Sequence, residues 1–264
     1  MLEIRDSVAV ITGGGGGIGL ALAKHWATNG GRVVIADISQ DILQEAEAAL
    51  KDLGGDILTV ICDVTREDDC ARLADVAIDQ YGQINLVAPF AGITKDGLML
   101  SPDRETGKVH AKMSYEQFRS VMEINVDGVF LTVRECAERM INHGGKGLIC
   151  LISSTGSLGT AGQINYSATK AAVSVMPKVI TAEFFRRGLA DQIRCVAVAP
   201  GYVGTPMVKK MNPKVLDKIL AQVPIGRLID PDEVATFVGD IYRNEALAGE
   251  VFFIHGGLRL GSKG

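Results

Sequence analysis

Tyr166 and Lys170 stand four residues apart in the segment INYSATK, so a helix there would set them on one face, one turn from each other. A phenol is a poor base at neutral pH, and a cation held beside it favours the phenolate. Tyr166 is therefore a candidate proton carrier, with Lys170 as its tuning charge. Ser153 closes the apolar run Leu148 to Ile152, where a strand would deliver a hydroxyl to the carboxyl edge of a sheet. A carbonyl oxygen placed there could accept two hydrogen bonds. Tyr-x-x-x-Lys alone recurs by chance on surface helices, so the assignment depends on the elements around it.

Those elements alternate. Ser7 to Ile11 is a short apolar run followed by Thr12, GGGGGIG and the helical pattern LALAKHWATNG. Strand, glycine turn and helix together place free backbone N–H groups and the positive end of a helix dipole where a pyrophosphate could sit. The form is T-G-x-x-x-G-I-G, with Gly13, Gly17 and Gly19 at the fixed places and Gly14, Gly15 and Gly16 as added freedom. A linker would not be flanked so tightly by apolar segments. The next apolar run, Arg32 to Ala36, ends in Asp37, about twenty residues beyond the glycines, where a carboxylate can accept both ribose hydroxyls of adenosine and repel a 2'-phosphate. No basic residue stands among Gly14, Gly15, Gly16 and Ile38, which agrees with NAD rather than NADP. The third strand, Ile57 to Cys62, leads to Asp63 and Val64. Asp63 could reach an adenine amino group or cap the helix from Glu67 to Tyr81.

After a fourth strand ending in Pro89-Phe90-Ala91-Gly92, Lys95 to Met113 reads as a long loop. Ser114 with Gln117 forms a capping box for a helix in which Asn125 sits between apolar neighbours, either satisfying backbone or holding an ordered water. Ile193 to Ala199 is a further strand before Pro200-Gly201, Asn212 to Gln222 reads as a lid helix with packing methionines at Met207 and Met211, Asp230 to Tyr242 is a helix, and Glu250 to His255 a last strand. Strands alternating with helices call for a parallel α/β sheet.

Composition narrows the partners. The chain has 264 residues, 47% hydrophobic and 22% charged, enough for a substantial core in one domain over 1–264. A net charge of −4 without a basic cluster makes nucleic acid and anionic membranes unexpected partners. Five cysteines without a C-x-x-C pair read as reduced core thiols of a cytoplasmic protein rather than a disulfide frame or metal site. The start MLEIRDSVAV has an acid before any apolar run, and no stretch approaches bilayer length, so neither export nor insertion is expected.

With the glycine turn, Asp37, Asp63, Asn125, Ser153, Tyr166-x-x-x-Lys170 and Pro200-Gly201 in this order, the chain resembles the short-chain dehydrogenase/reductase family over essentially its whole length. Within it, the chain is most similar to 3-oxoacyl carrier-protein reductases and to dehydrogenases of secondary and cyclic alcohols. The resemblance implies a single Rossmann-type doubly wound parallel sheet of seven strands flanked by helices, usually in a homotetramer. It implies a tetrad of Asn125, Ser153, Tyr166 and Lys170. Tyr166 would be acid in reduction and base in oxidation, Ser153 would orient the substrate oxygen, Lys170 would lower the phenol's pKa and hold the nicotinamide ribose, and Asn125 would hold a water beside Lys170. NAD would be bound by Gly13, Gly16, Gly17, Ile18, Gly19, Asp37, Ile38, Asp63, Val64, Ala91, Gly92, Tyr166, Lys170, Pro200, Gly201, Val203 and Thr205, with no metal.

Three features depart from the family pattern: Pro89-Phe90 where Asn-Asn is common, a longer Lys95 to Met113 loop, and His255 where aspartate is usual. The expected function is interconversion of a small secondary, possibly cyclic, alcohol and its ketone with NAD. The alternatives are a 3-oxoacyl thioester reductase, on carrier protein or CoA, and a non-catalytic NAD-binding protein, which would need the glycine turn but not the tetrad.

Overall fold

The computed structural model describes residues 1–209 and 213–258. In chain order the first elements are β1 (Val8–Thr12), α1 (Gly17–Thr28), β2 (Arg32–Asp37), α2 (Gln40–Leu50), β3 (Ile57–Ile61), α3 (Glu67–Tyr81) and β4 (Leu86–Pro89). Then come β5 (Leu100–Pro102), β6 (Val109–Lys112), α4 (Tyr115–Met122), α5 (Gly128–Asn142), β7 (Gly147–Ile152) and α6 (Ile164–Arg186). The chain continues with β8 (Ile193–Pro200), α7 (Pro206–Lys209), α8 (Pro213–Leu220), α9 (Pro231–Arg243) and β9 (Val251–Ile254). The expected lid helix is thus α8; Met211 and Asn212 lie outside the described residues.

Seven strands form one parallel sheet in the order β3-β2-β1-β4-β7-β8-β9. The doubly wound expectation is met. Central strands have helices on both faces, so their residues are apolar at nearly every position, Thr12 and Arg194 excepted, and the twofold alternation of side chains divides each strand between two cores. Ala9 and Ile11 of β1, Val33 and Ile35 of β2, and Val196 and Val198 of β8 face α1, α2 and α9. Val8, Val10, Val34, Cys195 and Ala197 face α3, α5 and α6 instead. All five cysteines are free and buried.

Trp26 shows how the first layer is fastened. Its indole N–H donates to Ser7 Oγ at 2.9 Å, and its ring meets Tyr242 of α9 edge-on at 4.8 Å. The fully buried indole therefore joins α1, α9 and the start of β1.

The Lys95 to Met113 segment corrects the sequence reading. Part of it is an antiparallel hairpin of β5 and β6, not an unstructured loop. The Asp103 carboxylate accepts from Glu105 N, Thr106 N and Thr106 Oγ1, and Gly107 takes φ +68°. Asp-x-x-x-Gly is a turn signal that the mixed charge around it concealed.

Two chain crossovers leave opposite sides of the sheet between β1 and β4, opening a crevice beyond their carboxyl ends. The glycine turn and the ends of β4 and β7 all meet this crevice. Removing the Trp26 ring should leave a cavity where three elements meet. Trp26→Ala is expected to lower unfolding free energy by about 3–5 kcal/mol in urea denaturation, whereas the same change at the exposed Phe185 should cost far less.

Candidate active site

At the turn after β1, Gly16 is the N-cap of α1 and no side chain caps the helix, so its first N–H groups remain free for a ligand. The turn is too crowded for side chains. A Cβ on Gly19 would lie 2.2 Å from Gly13 O, and one on Gly13 would lie 2.8 Å from Ala91 Cα. Gly13 and Gly17 also take φ of +63° and +53°, the left-handed region that glycine enters freely. Gly16 faces open space instead. The turn borders a cleft of about 580 Å³, lined by Gly13, Gly16, Gly17, Ile18, Gly19, Asp37, Ile38, Asp63, Val64, Ala91, Gly92 and Thr205 among others. A backbone cradle at an uncapped helix N-terminus, with a carboxylate farther along the cleft, fits a dinucleotide.

The acids divide their work. Asp37 closes β2 and accepts only a long 3.4 Å bond from Ser39 N, leaving its carboxylate available at the cleft. Asp63 Oδ1 is held by Thr65 N at 3.0 Å and Thr65 Oγ1 at 2.7 Å. Asp63 therefore shapes the turn before α3 and does not cap the helix, whose N-cap is Arg66.

Asn125 lies in a short π-helical turn, Glu123–Asp127, between α4 and α5. Such turns re-aim side chains out of regular register. The fully buried amide accepts from Ile93 N and donates to Ile93 O, both at 2.9 Å, and also donates to Thr169 Oγ1 at 3.3 Å. Its side chain thus ties the chain leaving β4 to α6.

Lys170 is buried, and its ammonium donates to Ile152 O at 2.8 Å and lies 5.6 Å from the centre of the Tyr166 ring. Tyr166 and Lys170 do share one face of α6. Burial pulls the Lys170 amine down from its ordinary 10.5 to about 8. The phenol behaves otherwise than the sequence suggested. Burial raises the Tyr166 pKa, a hydrogen bond with Ser154 lowers it, and the Asp96 charge raises it. The lysine does not dominate because desolvation acts on both groups at once.

The serine assignment also changes. Ser153 Oγ turns toward the helix, donating to Lys170 O at 3.0 Å and pairing with Ser174 Oγ at 2.7 Å. The neighbouring Ser154 is the residue whose hydroxyl reaches Tyr166, and it also accepts from Gly156 N at 3.0 Å. Successive residues leaving a strand point opposite ways, so of two adjacent serines only one meets the phenol. The Ser-Ser pair was the available signal.

A family model described as short chain dehydrogenase matches residues 7–216. The chain belongs to the short-chain dehydrogenase/reductase family. It is 31% identical over 259 residues to the 3-oxoacyl-[acyl-carrier-protein] reductase of Thermotoga maritima, across 97% of this chain and 99% of the relative. It is 30% identical over 233 residues to the 2,5-dichloro-2,5-cyclohexadiene-1,4-diol dehydrogenase of Sphingobium indicum, across 88% and 87%. A solved short-chain type dehydrogenase/reductase from Mycobacterium ulcerans aligns with a TM-score of 0.84 at 25% identity, across 98% of this chain and 92% of that one. The chain is accordingly an oxidoreductase acting on CH–OH groups, in a family that typically uses NAD(P).

The departures from the short-chain dehydrogenase pattern have structural accounts. Pro89 ends β4 in register with Thr12 of β1, where the bond to Thr12 O comes from Phe90 N, and pairing to β7 has already stopped at Val87, so the missing N–H of Pro89 costs the sheet no bond. Phe90 N donates to Thr12 O at 3.1 Å and Ala91 N to Thr12 Oγ1 at 3.4 Å, which keeps the strand end ordered. His255 Nδ1 accepts from Gly257 N at 3.1 Å in a turn where Gly256 and Gly257 both have positive φ. The imidazole does the turn-capping work of a short acid.

Of the expected cofactor residues after β8, Thr205 lines the cleft while Pro200, Gly201 and Val203 lie outside its lining. Gly201 N bonds Ile254 O, and Val203 bridges Ile229, so these residues hold the loop in place. Ile42, Cys62, Phe90, Ile124 and Ile152 line the cleft without having been singled out, because apolar residues at helix and strand ends carry no polar signature.

The buried amine of Lys170 has a measurable cost. Between about pH 8 and 10.5 the folded chain holds fewer protons at this site than the unfolded chain, so stability rises with pH across that window. At pH 7 the cost is roughly 3 kcal/mol, less whatever the bond to Ile152 O returns. Lys170→Met is expected to unfold at higher urea than the natural chain at pH 7, with the difference shrinking from pH 8 to 10. A difference unchanged across that range would contradict the assignment.

Proposed function

We propose that this enzyme interconverts a secondary alcohol, including cyclic ones, and its ketone, with NAD as hydride carrier. The observation that carries the reading is the Tyr166 phenol, paired with Ser154 and one helical turn from buried Lys170. Lys170 stands just behind the cleft wall, since a Cβ on the lining residue Gly92 would lie 3.9 Å from its Nζ. When bound, the nicotinamide supplies or accepts the hydride.

The protein's own part is proton handling and position. Tyr166 delivers a proton to the carbonyl oxygen during reduction and removes it from the hydroxyl during oxidation. Ser154 donates to the same oxygen and holds the phenol. Lys170 keeps a protonatable amine next to the phenol and would hold the nicotinamide ribose. Asn125 is a positioning residue, because it fixes the Gly92–Ile93 segment against α6. Ser153 is likewise a positioning residue, fastening the end of β7 to α6 at Lys170.

Specificity for NAD rests on Asp37 and its surroundings. Its carboxylate lies beside Gly15, whose own Cβ would meet Ile42, and Ile38 borders the same part of the cleft. Acid and apolar groups there give a 2'-phosphate no counter-charge. The remaining cofactor contacts would come from the glycine turn, Asp63, Val64, Ala91 and Thr205.

A 3-oxoacyl thioester is the second substrate class, favoured by the resemblance to the Thermotoga reductase. The hairpin of β5 and β6 argues for the smaller substrates, because Lys95 and Asp96 at its base bond Asn165 and Gln163 next to Tyr166 and narrow that edge. The chain would work as one domain in the cytoplasm. Exposed Phe130 on α5 and Val175, Val179 and Phe185 on α6 would be covered in a homotetramer.

A panel of secondary alcohols, cyclic ketones and 3-oxoacyl thioesters, assayed with both nucleotides, tests the reading; turnover confined to thioesters would transfer it to the second class. Tyr166→Phe is expected to abolish turnover while nucleotide binding persists. Ser154→Ala should reduce kcat by about 10²–10³-fold, whereas Ser153→Ala should act mainly on stability; the reverse ranking would restore Ser153 to the substrate. Asp37→Ala should narrow the NAD over NADP preference by about tenfold or more, read as the ratio of kcat/KM values.

A further inference from the structure

The main chain of Tyr166 is held at both ends from one short segment. Helix α6 starts at Ile164, and its N-cap Gln163 supplies no side-chain cap, so the N–H of Tyr166 in the first turn needs another acceptor. Asn165 provides it. Tyr166 N donates to Asn165 Oδ1 at 2.8 Å, while Asn165 Nδ2 donates to Lys95 O at 2.9 Å, and the amide between them is fully buried. At the other end, Thr169 Oγ1 donates to Tyr166 O at 2.7 Å and accepts from the Asn125 amide, which is fixed to Ile93. The two anchors, Ile93 and Lys95, are two residues apart in the chain.

The segment that carries both anchors is itself tied down. Gln117 Nε2 donates to Lys95 O at 2.9 Å and to Asp96 O at 3.2 Å, and Gln163 Nε2 donates to Asp96 Oδ2 at 2.8 Å. Gly97 N donates to Gly162 O at 2.7 Å, and Gly97 and Gln163 form a parallel bridge. A side chain at the N-cap could satisfy the helix end without any link to Lys95. Here the acceptor belongs to a residue that also grips the root of the β5–β6 hairpin. Resting on the reading of Tyr166 as the proton carrier, we propose that Asn165 is a positioning residue that sets where the Tyr166 phenol stands, with the main chain of Lys95 as its fixed point.

The phenol follows its backbone through a rigid ring and two side-chain torsions, so a shift of the Tyr166 main chain reaches the hydroxyl. Proton transfer tolerates little of this, since a misplacement of about 1 Å costs on the order of 10²-fold in rate. Aspartate at position 165 offers a chemical control. As a neutral acid it has one O–H for Lys95 O and one carbonyl oxygen for Tyr166 N, whereas the ionised form has acceptors only and repels Lys95 O. Burial favours the neutral form.

The test compares the natural full-length chain with Asn165→Ala and Asn165→Asp, taking kcat per NADH-binding site on the best ketone of the panel so that any unfolded fraction drops out. Asn165→Ala is expected to lower kcat about 10–100-fold, with NADH affinity unchanged. It should also displace the Tyr166 ring signal in NMR of ring-labelled tyrosine, identified by its loss in Tyr166→Phe, while Tyr242, packed on Trp26, keeps its own. The kcat of Asn165→Asp relative to the natural chain should recover as pH falls from about 8.5 to about 6. Natural kcat per site in Asn165→Ala, an unmoved Tyr166 signal, or a deficit of Asn165→Asp that is flat with pH would each overturn the proposal. Should Asn165→Ala not fold, the pH course of Asn165→Asp decides alone. Turnover that survives Tyr166→Phe would instead refute the proton-carrier reading, while the ring signals would still show whether Asn165 positions the tyrosine.

Discussion

Lys170 places an amine where water cannot solvate it, and the active site is built around that constraint. The group is buried against Ile152 O and the face of the Tyr166 ring, and burial alone takes its pKa to about 8. Burial thus brings the amine's titration toward neutral pH while it raises that of the phenol beside it. The cost is local destabilisation, which the two apolar layers on either face of the sheet offset.

The surroundings of this pair are over-determined. Asn125 fixes the Gly92–Ile93 segment, the π-helical turn aims that amide, and Ser153 anchors the start of the catalytic segment to the Lys170 carbonyl. Each polar atom near Lys170 is thus engaged with backbone, which is how a buried polar cluster keeps one arrangement. Ser154 departs from that pattern, since its hydroxyl faces the phenol. The divided roles of two adjacent serines follow from the alternation of side chains as the chain leaves β7 at Ile152.

At the other end of the cleft, the glycine turn obeys a steric rule. Backbone from β1 and β4 approaches so closely that a Cβ on Gly13 or Gly19 would overlap neighbouring main chain. Helix α1 then presents uncapped N–H groups, and the Asp37 carboxylate lies available at the same cleft. The close approach that requires glycine also leaves open space before the helix N-terminus, the kind of room a phosphate group needs.

The sequence by itself determined the strand–helix alternation with the parallel sheet it calls for, the glycine turn and the pairing of Tyr166 with Lys170. All of these follow from local periodicity, or from spacing within a single element. The tertiary structure decided what depends on contacts between elements: that Ser154 and not Ser153 meets Tyr166, that burial raises the phenol's pKa, and that Gly201 and Val203 tie the loop after β8 to Ile254 and Ile229. It also decided that Asn125 is engaged by Ile93 and that part of the Lys95 to Met113 segment pairs with itself. Hydroxyl direction, desolvation and the meeting of distant side chains are set by packing in three dimensions, and no spacing along the chain encodes them.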